Sequence, residues 1–167
     1  LVHVLLPLRP LLYPGPANWT EEGQEFAWRM MQRTKTAFVV FKLEDSQTGR
    51  SWLVNPVGEL SAYQARAMAK HPRMLHQYAH HLADLTEAEQ GRRPRVKAYS
   101  AVKLNGSRPA PLVSPTVDLA AIPLAALGHA DWIEPPPDTS RLADDPDWRG
   151  VMRELRTTFA ESWGFDG

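Results

Sequence analysis

The chain has 167 residues, enough for one domain with a core of its own. Nineteen Lys and Arg balance nineteen Asp and Glu, and this zero net charge argues against a general nucleic-acid binder, which carries a basic excess. With no cysteine, disulfides and thiolate-ligated metals are excluded.

Leu1 to Leu8 is apolar but too short to cross a bilayer, which takes about 20 residues. It has no basic flank and no small-residue cleavage site, so it makes a poor signal peptide. Two readings stay open: the end of a membrane helix, or a buried N-terminal strand. Pro14-Gly15-Pro16 turns the chain. Asn18 fits a helix N-cap and Glu21 completes a capping box. Trp19, Phe26 and Met30, at spacings of seven and four, predict a helix over about 18–33. Ala37 to Leu43 is β-branched and aromatic, Asp45 to Gly49 is a turn, and Ser51 to Val54 is a second strand. Together they predict a hairpin over about 37–54. Asn55-Pro56 ends it.

A short helix is predicted over about 60–69 and a longer one over about 72–88. Pro72 opens the second, and Leu75, Tyr78, Leu82 and Leu85 form its apolar stripe. Arg95 to Leu104 alternates, with Val96, Ala98, Val102 and Leu104 pointing inward. Asn105-Gly106 is a strong hairpin signal. Arg108 to Val113 returns as an edge strand, because Pro109 and Pro111 cannot donate to a ladder. That predicts a second hairpin over about 95–113. Pro115 to Pro137 is an ordered connection holding Trp132. Asp145 caps a last helix over about 145–163, with Pro146 in its first turn. Trp148, Val151, Met152, Leu155, Phe159 and Trp163 mark its buried face. The fold class is α+β: a small antiparallel sheet from two β-hairpins, with helices packed on one side.

His76 and His80 are four apart, a spacing that can hold a metal. They fall opposite the Leu75 stripe, lack the glutamate of an H-E-x-x-H helix and have no third ligand. They read as surface histidines, and no metal site is assigned. There is no nucleophile elbow and no glycine-rich phosphate loop. Asn18-Trp19-Thr20 matches the N-glycosylation pattern, but helix capping explains it. Six tryptophans are many for this length. Core packing accounts for most of them; an aromatic peptide groove is the other reading, with Trp132, Trp148 and Arg149 as its candidates.

Several motifs recur in a shared order. They are Pro7-Leu8-Arg9, Asn18-Trp19-Thr20, Trp28-Arg29-Met30-Met31, Leu53-Val54-Asn55-Pro56 and Met74-Leu75-His76-Gln77-Tyr78-Ala79. Leu104-Asn105-Gly106, Ser114-Pro115-Thr116-Val117-Asp118, Trp132-Ile133-Glu134-Pro135 and Asp147-Trp148-Arg149 continue the series. In this order they resemble the extracytoplasmic (lumenal) domain of vitamin K-dependent γ-glutamyl carboxylases, in a bacterial-type form. The resemblance implies that residues 1–17 are the membrane-exit segment of a truncated last transmembrane helix. Residues 18–167 would then be a single soluble α+β domain on the extracytoplasmic side of a membrane protein.

Members of that family convert peptide Glu to γ-carboxyglutamate, coupled to epoxidation of vitamin K hydroquinone. Their catalytic lysine lies in a membrane part outside this chain. The resemblance therefore implies no catalytic residue here, no activity of the chain alone and no cofactor bound by it. Vitamin K hydroquinone, CO2 and O2 belong to the full-length enzyme. The implied partners are the membrane-embedded catalytic domain of the same polypeptide and a peptide or protein substrate, with no nucleic acid. Arg9, Leu12, Tyr13, Asn18 and Trp19 would lie nearest the reacting centre. Arg9 would pair with a substrate carboxylate, or anchor the domain to lipid headgroups. Thr116 stands where the family's animal members carry arginine, and their cysteines and larger β-sandwich are missing. The alternative is a free-standing peptide-binding or interaction module without catalysis.

Overall fold

Residues 6–23, 34–124, 130–138 and 140–163 are described by a computed structural model. The run from Lys35 to Leu43 is rich in β-branched and aromatic side chains, which fit a pleated, buried surface. It forms strand β1, Lys35–Glu44. In the turn that follows, the Asp45 carboxylate accepts from the Gln47 N–H at 2.9 Å and the Thr48 hydroxyl at 2.7 Å. Strand β2, Ser51–Val54, then pairs antiparallel with β1, Phe41 opposite Val54. Strand β3, Arg95–Leu104, pairs antiparallel with the whole other edge, from Lys35 opposite Leu104 to Glu44 opposite Arg95. The sheet order is β2-β1-β3.

The first hairpin is as expected. The second is reduced: Arg108 to Val113 is no strand, and only Ala110 bridges to Val102. Pro109 and Pro111 supply no N–H, and the amides of Leu112 and Val113 turn to the buried Ser100 hydroxyl at 3.0 and 3.4 Å. The Asn105-Gly106 turn itself forms, both residues at positive φ, 50° and 78°.

Helix α1, Ala17–Thr20, is much shorter than the predicted 18–33. Pro16, not Asn18, sits at its N-cap, and Glu21 ends it in the left-handed region at φ 62°. No capping box forms, because the Glu21 carboxylate is drawn to Lys35 and His71 instead. The rest of the predicted helix, with Phe26, Trp28 and Met30, lies outside the described residues, as does Leu1 to Leu5. Helix α2, Ala62–Met68, starts in a capping box of Ser61 and Gln64. Helix α3, Pro72–Gln90, begins on proline and stops at Gly91 with φ 71°. Its stripe holds at Leu75, Tyr78 and Leu82, but Leu85 is 40% exposed and Thr86 is buried in its place. Helix α4, Pro146–Trp163, buries Trp148, Met152, Leu155 and Trp163, while Val151 is exposed.

Helices cover both faces of the sheet, not one. Phe41 meets Tyr78 of α3 with ring centres 5.2 Å apart, and Phe38, pointing the other way, meets Trp163 of α4 at 5.2 Å. The cause is the unbroken apolar run from Ala37 to Phe41, every residue of it buried. A sheet covered on one side would leave half of that run in water.

Candidate functional site

A 3-10 helix spans Leu6–Leu12. Residues three apart share an edge of such a helix, which aligns Leu8 with Leu11 and puts Leu12 beside them. They are 50%, 74% and 82% exposed. Arg9 and Tyr13 are half-exposed. Both rest on Gly23, whose φ is 68°. A Cβ there would stand 2.9 Å from the Tyr13 ring and 3.1 Å from the Arg9 carbonyl carbon.

Beneath this surface lies a polar knot. Trp19 is fully buried, and its indole N–H donates to the Glu134 carbonyl at 2.6 Å. The buried Lys35 ammonium donates to the Trp19 carbonyl at 2.9 Å, the Lys70 carbonyl at 2.6 Å and the Glu21 carboxylate at 3.1 Å. The other Glu21 oxygen meets His71. Burial pushes the Glu21 carboxyl up, but the hydrogen bond from His71 and the charges of Lys35 and His71 outweigh it and hold the group below its ordinary value. The buried Glu22 carboxylate accepts from the Ala130 N–H at 2.9 Å. The knot ties the N-terminal segment to the start of β1, to the α2–α3 junction and to residues 130–134.

Of the five residues implied to face substrate, Arg9, Leu12 and Tyr13 reach the surface. Asn18 is half-buried on α1, and Trp19 is in the core. The two groove tryptophans do not come together. Trp132 packs on His76 of α3, ring centres 5.0 Å apart, whereas Trp148 belongs to α4 on the opposite face of the sheet. His76 is buried, not solvated, and His80 is half-buried. Their Nε2 atoms approach one acceptor, the Ile122 carbonyl, at 2.9 and 2.8 Å. Desolvation lowers the His76 pKa, the Ile122 hydrogen bond opposes this, and His80 adds to the lowering. Among the described residues no group of His, Asp and Glu is placed to hold a metal.

Trp148 and Arg149 do line a groove of about 540 Å3 between α4 and the sheet. Its apolar lining includes Phe38, Ala101, Pro109, Trp148 and Met152. Its cations are Lys103, Arg108, Arg149, Arg153 and Arg156, all exposed, and among the described residues no acidic side chain lines it. Sequence reading missed this basic wall. Arg149, Arg153 and Arg156, at spacings of four and three along one helix, were the available signal.

The family model for the vitamin K-dependent gamma-carboxylase lumenal domain matches residues 1–139. The chain belongs to that family. The match takes in the 3-10 helix, the polar knot and the sheet of the lumenal domain; α4 lies beyond it. No curated protein and no solved structure matches. The family name places the lumenal domain on the extracytoplasmic side of a membrane protein. Among the described residues no helix is long and apolar enough to cross a membrane.

Proposed function

We propose that this lumenal domain is the substrate-facing part of a γ-glutamyl carboxylase-like membrane enzyme. Its catalytic part is membrane-embedded and in the same polypeptide. With reduced vitamin K, O2 and CO2 bound, that part would supply the base and the carboxyl group that convert a peptide glutamate to γ-carboxyglutamate. A side chain of ordinary basicity does not remove the γ-proton of glutamate, so this chain is inactive alone. Its own residues position the substrate. Arg9, with its planar fork of donors, pairs with a carboxylate of the peptide beside Tyr13.

The family match over residues 1–139 carries this reading. The exposed edge of Leu8, Leu11 and Leu12 supports it, since leucines clustered on one edge fit a surface covered by a neighbour. The test places a photo-crosslinking residue at Tyr13 in the complete polypeptide and adds a glutamate-containing peptide. A crosslink at position 13, and none at the exposed Glu89 near the C-terminal end of α3, is expected. Equal labelling at both positions would sink the assignment.

A further inference from the structure

The groove between α4 and the sheet has two properties that the substrate-facing reading does not use. Its floor is apolar: Ala37, Phe38, Ala143 and Met152 line it and are buried, with Ala101 half-buried beside them. Its rim is cationic in a chain of zero net charge, and among the described residues no acidic side chain lines it. Arg108 is held by Asp144 at 3.5 Å. The exposed side chains of Lys103, Arg149 and Arg153 have no hydrogen bond or ion pair among the described residues. Arg149 and Arg153, four apart, share a face of α4, and Lys103 comes from the opposite wall, on β3.

We propose that this groove holds the acyl chain of a single-chain anionic lipid, with the phosphate or carboxylate head on Lys103, Arg149 and Arg153. An apolar recess favours an apolar ligand, which gains by leaving water and brings no polar group that needs a partner there. Unpaired cations at the mouth favour an anion, and guanidinium forks suit the several oxygens of a phosphate. Floor and rim belong to one groove, so head and tail belong to one molecule. The recess of about 540 Å3 lies within the range of ligand pockets, about 300 to 1,000 Å3, and is concave enough to take a chain. A flat bilayer surface would meet the rim and leave the floor unfilled. Arg149, Met152 and Arg153 lie beyond residues 1–139, so the site depends on a helix outside the family match. A lumenal domain of a membrane-protein family has such lipids beside it. Binding needs no turnover, so the proposal stands or falls apart from carboxylation.

The experiment is isothermal titration calorimetry of dodecyl phosphate, kept below its micelle concentration, into the 167-residue chain. Saturable binding is expected. Octyl phosphate should bind more weakly, by up to about fourfold for each methylene removed. Dodecyl maltoside keeps the chain, lacks the charge and should bind about tenfold more weakly. The R149E/R153E double variant should lose dodecyl phosphate by a similar factor and should gain affinity for dodecyltrimethylammonium. Ala101→Leu fills part of the recess and leaves every cation in place. It should weaken dodecyl phosphate about tenfold, the loss of about two buried methylenes, with circular dichroism showing a folded chain. Inorganic phosphate binding as tightly as dodecyl phosphate would overturn the proposal and leave a bare anion site. Dodecyl maltoside binding as tightly would overturn it in favour of an unselective apolar surface. Unchanged affinity in either variant would overturn it by placing the lipid elsewhere. A peptide alternating glutamate and leucine that displaces dodecyl phosphate at lower concentration would give the groove to a peptide instead.

Discussion

Replacing Lys35 by Met tests the polar knot. The substitution keeps the apolar stem and removes the ammonium. It strips a donor from the Trp19 and Lys70 carbonyls and a charge from Glu21, whose side chain is itself only 10% exposed. Breaking a buried ion pair from one side costs about 3–5 kcal/mol. Glu21 keeps His71 as a partner, so the lower end of that range, about 3 kcal/mol, is expected. For a domain of this size each kcal/mol shifts Tm by roughly 2–4 °C, so a fall of roughly 6–12 °C should follow. Urea denaturation followed by circular dichroism reads the loss as a lower midpoint at unchanged slope. Adding Glu21→Gln completes a cycle, and in the K35M background it should cost less than in the wild type. A loss below about 1 kcal/mol, or full additivity, would mean that the cage is worth no more than an exposed pair.

Gly23→Ala should cost about 1–3 kcal/mol, from the left-handed backbone and the contact with Tyr13, read as a lower urea midpoint. Acid should destabilise the domain in two steps. His76 has a folded pKa below its unfolded value of about 6.5, so the unfolded chain binds the proton first. Its contribution is fully present above about pH 6.5 and is lost as pH falls through the lower folded value, and H76Q should flatten this part of the urea-midpoint profile. Glu21 acts in the same sense further down. Its stabilisation is present above the ordinary carboxyl value and is lost as pH falls through the depressed one. Trp148→Phe should stay within about 1 kcal/mol of the wild type, because the lost donor had no partner, whereas Trp148→Ala should lose about 3–5 kcal/mol.

What could be read from sequence follows the range of the forces involved. The first hairpin, α2, α3 and α4 rest on local patterns: turn residues, an opening proline and a 3.6-residue stripe. Each appears close to its expected bounds. The pairing of β1 with β3 joins segments about sixty residues apart, and no local pattern announces it. Lys35 lies just before the predicted strand at Ala37, and no local pattern marks it as buried. Its burial depends on acceptors brought from Trp19, Glu21 and Lys70 by the folded chain. The Asn18 capping box fails for the same reason, since distant partners outcompete a local hydrogen bond for Glu21. The Leu75 stripe on α3, taken alone, leaves His76 on the solvated side. Ala79 and Ala83, three and seven residues on, form a second small-residue face. The 3-10 turn at Leu119–Ala121 and Trp132 cover it.

The central claim, that this lumenal domain serves a carboxylase, is tested most directly by mass spectrometry of a glutamate-containing peptide. The peptide is incubated with the complete polypeptide in detergent, reduced vitamin K and bicarbonate, with the 167-residue chain as control. The complete polypeptide should add the mass of carbon dioxide to glutamate, and the isolated chain should not. Hydroquinone consumed with the peptide left unmodified would contradict it, and the domain would then serve a different acceptor.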